Sequence, residues 1–262
     1  MENIAKNINI LGTFCGKRDV PELTAHHLRS AFGISQADVM VLFGGSILQG
    51  GALLAEAMKN NIARTYIIVG GAGHTTPTLR AKVHAQFPEI ETEDLPEARV
   101  FAGLLKHRYG LEPDFLECDS TNCGNNITNL LALLKEQNIP CRSIILSQDA
   151  TMQRRMEAGL RKHAGEDLLI INYAVYSAEV TAEDRTLVYR ENIWGMWDME
   201  RYISLLMGEI PRLSDDETGY GPRGKNFIAH VDIPEEVRAA FEALKKDFSA
   251  LIRDANPLFA SK

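Results

Sequence analysis

The chain has 262 residues, enough for one large α/β domain or for one domain with a small appendage. Lys and Arg number 28 against 35 Asp and Glu, a net charge of −7 without a long basic run, which argues against nucleic acid as the main partner. Four cysteines lack a Cys-x-x-Cys spacing, the seven histidines are scattered, and no window approaches a membrane span; a cytoplasmic protein with reduced thiols, no metal and no membrane association is expected.

In chain order, Ile4, Ile8, Leu11 and Phe14 recur at helical spacing, so residues 3–15 read as an opening helix. Pro21 starts a second helix, with Leu23, Leu28 and Phe32 apolar and Gly33 as its stop. Residues 38–43 give the first buried strand, ended by Gly44-Gly45-Ser46, and a helix through Leu53, Leu54, Ala57 and Met58 follows. The second strand, 65–69, is ended by glycines again, at Gly70, Gly71 and Gly73. Residues 74–96 are too long for a plain connection and hold a short helix from Pro77 to about Phe87; long excursions at this edge are often functional. Pro96 and Glu97 then open a helix with Gly110 as its C-cap. Three more strands are expected near 115–118, 143–147 and 168–172, with helices between them. Continuous apolar runs separated by helices mean an α/β fold, one five-stranded parallel sheet with helices on both faces.

Beyond the fifth strand the pattern weakens. Residues 173–190 read as a crossing segment. Ile193, Trp194, Met196, Trp197, Tyr202, Ile203, Leu205 and Leu206 read as an apolar helix ending at Gly208, packed core rather than a cofactor box. A turn-rich connector over 211–224 leads to a last helix from Pro234 through Val237, Phe241, Leu244 and Phe248. The chain thus divides into an α/β domain, 1–190, and a helical subdomain packed on it, 191–262.

Right-handed crossovers bring the turns after the first four strands to one edge of the sheet, where ligands bind in such folds. The most unusual stretch there is Asp119-Ser120-Thr121-Asn122-Cys123-Gly124-Asn125-Asn126. Asn122, Asn125, Asn126 and Asn129 fall at i, i+3, i+4 and i+7, a stripe of amides that suits a polar, weakly charged ligand or a capped, solvated helix. Gly44-Gly45-Ser46 and Gly70-Gly71 let backbone approach a ligand, or simply make tight turns. Glu97 in a first helical turn and Gln148-Asp149 after the fourth strand supply carboxylates, though Asp149 serves equally as a cap. Arg154 and Arg155 offer a guanidinium to the same crevice. No Gly-x-Gly-x-x-Gly fingerprint, Gly-x-Ser-x-Gly elbow or Ser-His-Asp spacing is present.

Taken together, residues 38–46, Gly70-Gly71, Glu97, residues 120–126 and residues 148–155 resemble the bacterial domain-of-unknown-function family that contains YdcF and SanA. Residues 197–212 and Gly219-Tyr220-Gly221-Pro222-Arg223-Gly224 are similar to its YdcF branch. The resemblance implies a Rossmann-like domain and, for that branch, binding of S-adenosylmethionine without an established reaction. SanA-like members are membrane-anchored, and no such anchor is legible here. Many members place a histidine before the methionine where this chain has Asp149-Ala150-Thr151-Met152, so histidine chemistry is not carried over. The expected ligand is therefore S-adenosylmethionine or a related adenosyl compound across the strand ends. Gly44, Gly45, Ser46 and Gly71 would approach it through backbone, Ser120, Asn122, Asn125, Gln148 and Arg154 through polar groups, and Glu97 or Asp149 would face its positive charges. The alternative is a metal-independent hydrolase or group transferase for a sugar- or nucleotide-linked substrate, with Glu97 or Asp149 as general base.

Overall fold

The computed structural model describes residues 1–251. Its central strand, β1 (Ala37–Phe43), alternates its side chains between two cores: Met40 and Leu42 enter one, Val39, Val41 and Phe43 the other. Both faces must then be covered, which explains the unbroken apolar run. With β2 (Ala63–Val69), β3 (Phe115–Glu117), β4 (Ser143–Ser147) and β5 (Leu169–Asn172) it forms a five-stranded sheet of order β3-β2-β1-β4-β5. Every pairing is parallel; Val39 lies opposite Thr65 on one side and Ile144 on the other. The chain moves outward one way through β2 and β3, then returns to start β4 beside β1. A crevice opens at the carboxyl ends of the strands where the order reverses.

The helices are α1 (Glu2–Cys15), α2 (Ala25–Phe32), α3 (Gln49–Lys59), α4 (Thr76–Gln86), α5 (Glu97–Tyr109), α6 (Cys123–Glu136), α7 (Gln153–His163), α8 (Met199–Leu213) and α9 (Glu235–Phe248). Buried residues of α1, α3, α5, α8 and α9 share the core of Met40 and Leu42, while α6 puts Ile127 and Leu130 into the other core with α7's Met156 and Leu160. The expected 191–262 subdomain thus shares the α/β domain's core rather than owning a separate one; its stretch 252–262 lies outside the described residues. None of the helices among the described residues is long and apolar enough to cross a membrane.

Three boundaries differ from the sequence pattern. The second helix starts at Ala25, not Pro21, because the Thr24 hydroxyl accepts the His27 N–H and fixes the N-cap there. The aromatic run does not begin a helix at Ile193: Asp198 takes the Arg201 N–H as N-cap, and α8 runs past Gly208 to Leu213. A side-chain cap outweighs apolar spacing as a start signal. Residues 173–190 hold a hairpin of β6 (Val180–Glu183) and β7 (Thr186–Tyr189), turned by Asp184 and Arg185 at φ 46° and 62°. The Asn9 side chain of α1 donates to Val180 O at 2.9 Å and accepts from Val180 N at 2.8 Å, holding the hairpin in place.

Candidate functional site

A cavity of about 250 Å³ lies over the ends of β1, β2 and β4, walled by the first turns of α5, α6 and α7 and roofed by α8 and the connector behind it. Its floor is built around Glu97. The Glu97 N–H donates to Gly71 O at 2.9 Å and Ala98 N–H to Gly70 O at 2.8 Å, pinning the start of α5 onto the end of β2. Its Oε1 accepts from the Thr75 and Thr76 hydroxyls at 2.8 and 2.9 Å. A Cβ at Gly44 would collide with Glu97 Oε2, and one at Gly70 would sit 3.0 Å from Glu97 Cβ. The paired glycine turns are therefore required by the carboxylate lying across them. Burial pushes the Glu97 carboxyl above its usual range; the two threonines and Arg80 pull it back only partly.

Around this floor stand Gly44, Gly71, Ser120, Asn122 and Gln148, as the sequence suggested. Gly71 is crowded by backbone, with Cys118 O 2.7 Å from a would-be Cβ. Its N–H donates to Ser120 Oγ at 3.0 Å. Asn122 caps α6 by accepting the Asn125 N–H at 3.0 Å. The amide stripe divides: Asn122 and Asn126 line the cavity, whereas Asn125 accepts from the Thr121 hydroxyl and the Asn122 amide, and Asn129 donates to Glu117. Asn125 thus completes the cap and is not a lining residue.

Other expected site residues lie elsewhere. Asp149 Oδ1 accepts from Thr151 N, the Thr151 hydroxyl and the Tyr176 hydroxyl, and its Oδ2 accepts from Trp197 Nε1 at 2.8 Å. Both oxygens are committed to structure and the residue is 4% exposed, outside the cavity wall; it is a fastener between β4 and the 194–197 turn, not a base. Arg154 donates to Phe14 O and stacks at 4.2 Å over the Phe14 ring, so it binds α1 instead of a ligand. Its neighbour Arg155 turns into the cavity, where Nε and Nη2 grip Glu209 of α8 at 2.6 and 2.9 Å. Gly45 lies beneath the cavity against Gln148 Oε1, and Ser46 is fully buried with its carbonyl bound by Lys82. Asp38 sits at the opposite edge of the sheet with Arg142 and Ser143, so the three carboxylates of Asp38, Glu97 and Asp149 do not meet. Among the described residues no group of three His, Cys, Asp or Glu side chains is arranged to hold a metal ion.

The outer half of the cavity escaped the sequence pattern. Ile127 comes from α6, Met156 and His163 from α7 and Met152 from its N-cap, and Leu205, Arg212, Tyr220, Phe227 and Ile228 from the C-terminal third. Tyr220 and Phe227 meet edge to face at 5.2 Å, held by the glycine-rich connector. Gly221 is obligatory there, since a Cβ would lie 2.6 Å from Asp215 Oδ1. The Ala229 N–H donates to Ala158 O at 2.9 Å and fastens the connector to α7. A charged residue inside a buried apolar face was the signal for Glu209.

No family model matches the chain. It is similar to an uncharacterized protein of Streptomyces coelicolor, 26% identical over 191 residues that make up 73% of each chain.

Proposed function

We propose that the cavity binds a nucleoside-sized ligand with an adenosyl group, S-adenosylmethionine or a relative, as a member of the YdcF branch would. One observation carries this reading: the cavity joins the polar groups around Glu97, whose Oε2 is open, to a wall where Met152, Met156, Tyr220 and Phe227 stand beside the Arg155–Glu209 pair, His163 and Arg212. A ligand with a flat apolar ring on a polar sugar matches that combination. Met152, Met156, Tyr220 and Phe227 suit the base, and Ser120, Asn122 and Gln148 the polar part. The strand order supports a nucleotide-type ligand by analogy of fold alone. Four unpaired cysteines accord with a reducing cytoplasm.

The experiment is a thermal melt with S-adenosylmethionine, S-adenosylhomocysteine, ATP and a UDP-sugar. A ligand at about a hundred times its Kd adds roughly 2.7 kcal/mol, or about 5–10 °C in a domain of this size. Stabilisation by the adenosyl compounds supports the reading; none from any of them defeats it. A second reading rests on the raised Glu97 carboxyl, which suits a general base in a hydrolase or group transferase. Stabilisation by the UDP-sugar alone, followed by its slow hydrolysis, would favour that one.

A further inference from the structure

Three cavity-lining side chains keep hydrogen-bonding capacity that nothing among the described residues uses. Glu97, Ser120 and Gln148 are 7%, 2% and 1% exposed, so each is costly to leave unmatched. On Glu97 both threonines take Oε1, and Oε2 remains open beside Gly44. Gln148 Oε1 accepts the Asp149 N–H at 2.6 Å, which fixes the amide's orientation and leaves the two Nε2 hydrogens. Ser120 Oγ accepts the Gly71 N–H, which leaves its own hydrogen to donate. The cavity wall therefore carries one strong acceptor on Glu97 and donors on Gln148 and Ser120.

That set discriminates between ligand groups. An ammonium would satisfy Glu97 but has no lone pair for Gln148 or Ser120. A phosphate would satisfy those donors but oppose the carboxylate. A hydroxyl donates one hydrogen and accepts others, and a carboxylate oxygen has room for two donors. We propose that the inner end of the cavity is a vicinal-diol site: two neighbouring sugar hydroxyls donate to Glu97 Oε2 and accept from Gln148 Nε2 and Ser120 Oγ. Topology agrees. In sheets of this order an acidic residue beyond the first βα turn takes the ribose hydroxyls. Here α4 and its flanks intervene, and Glu97 is brought back to the end of β2 through its bond to Gly71. Glu97 then reads a sugar and does not balance a ligand's positive charge.

The inference rests on the adenosyl reading for its sugar, a ribose; a hexose offers the same chemistry. Titration calorimetry with adenosine, 2′-deoxyadenosine, 3′-deoxyadenosine, UDP-glucose and UDP separates the two, on wild type and on Glu97→Gln. Adenosine is expected to bind at least about tenfold more tightly than either deoxy analogue, the usual loss for a hydrogen bond to a charged group. Glu97→Gln should abolish that preference while melting no lower than wild type. If all three adenosines bind wild type equally, the diol site is overturned and the adenosyl reading stands. If adenosine fails but UDP-glucose outbinds UDP in a Glu97-dependent way, the diol site stands with a hexose and the adenosyl reading falls. If no probe shows a hydroxyl preference that Glu97→Gln removes, the diol site is overturned.

Discussion

The cavity roof depends on one buried ion pair, and its removal is predicted to be severe. Arg155 on α7 and Glu209 on α8 join through two short hydrogen bonds, with side chains 13% and 5% exposed. Glu209→Leu would leave a guanidinium buried without its partner, at a cost of about 3–5 kcal/mol. For a domain of this size each kcal/mol lowers the melting temperature by roughly 2–4 °C, so a fall of about 6–20 °C is expected. Arg155→Met should cost a similar amount. The double variant Arg155→Met/Glu209→Leu places two apolar side chains together and should be more stable than either single one. The assay is urea unfolding of all four proteins. If both single variants lie within about 1 kcal/mol of wild type, the pair does not hold α8 over the cavity and the reasoning fails.

Further outcomes follow from the same contacts. Asp149→Ala should cost at least about 1–3 kcal/mol, since it strands donors on the buried Thr151 and Tyr176 and on the half-buried Trp197, yet leave the Kd of the folded protein for S-adenosylmethionine unchanged by calorimetry. Burial raises the Glu97 carboxyl in the fold, so its ionisation opposes folding above its unfolded pKa; Glu97→Gln should therefore gain on wild type in melting temperature as pH rises above about 4, and show no such gain below it. His230 is raised by its bonds to Asp215 and then Asp232, so its contribution is complete below its ordinary value and lost as pH climbs through the raised one; an NMR titration should find its midpoint above that of His230 in an Asp215→Asn variant. Exhaustive chelation should leave ligand affinity unchanged, checked by calorimetry before and after EDTA.

The strands were legible because β1, β2, β4 and β5 are buried on both faces and read as unbroken apolar runs. Part of the floor of the site was legible for a related reason: Gly44, Gly70 and Ser120 follow strand ends closely, so their position depends on local order, while Glu97 was legible only as a carboxylate in a first helical turn and returns to the end of β2 through its N–H bond to Gly71 O. The errors come from orientation and distance. Arg154 and Arg155 are adjacent, but a helix turns about 100° per residue, and only the start of α7 at Gln153 decides which of them meets the cavity. Asp149 read as either a site carboxylate or a cap; its bonds to Thr151 are local, but its partners Tyr176 and Trp197 lie far along the chain, in stretches without periodicity. The roof was illegible as well, since Tyr220 and Phe227 reach the cavity only after the connector has folded around Asp215.

Gly159 offers the most direct test of the cavity as a ligand site. It lines the cavity within α7, and a Cβ there would meet only Ile127 Cγ1, at an ordinary 3.5 Å. Gly159→Met should fill the outer end without removing a hydrogen bond, while methionine favours the helix over glycine by roughly 1 kcal/mol. Titrating S-adenosylmethionine into both proteins by calorimetry should give one-to-one binding to wild type and at least tenfold weaker binding to Gly159→Met, whose melting temperature should be no lower. Equal binding to both, or no binding to wild type, would contradict the account.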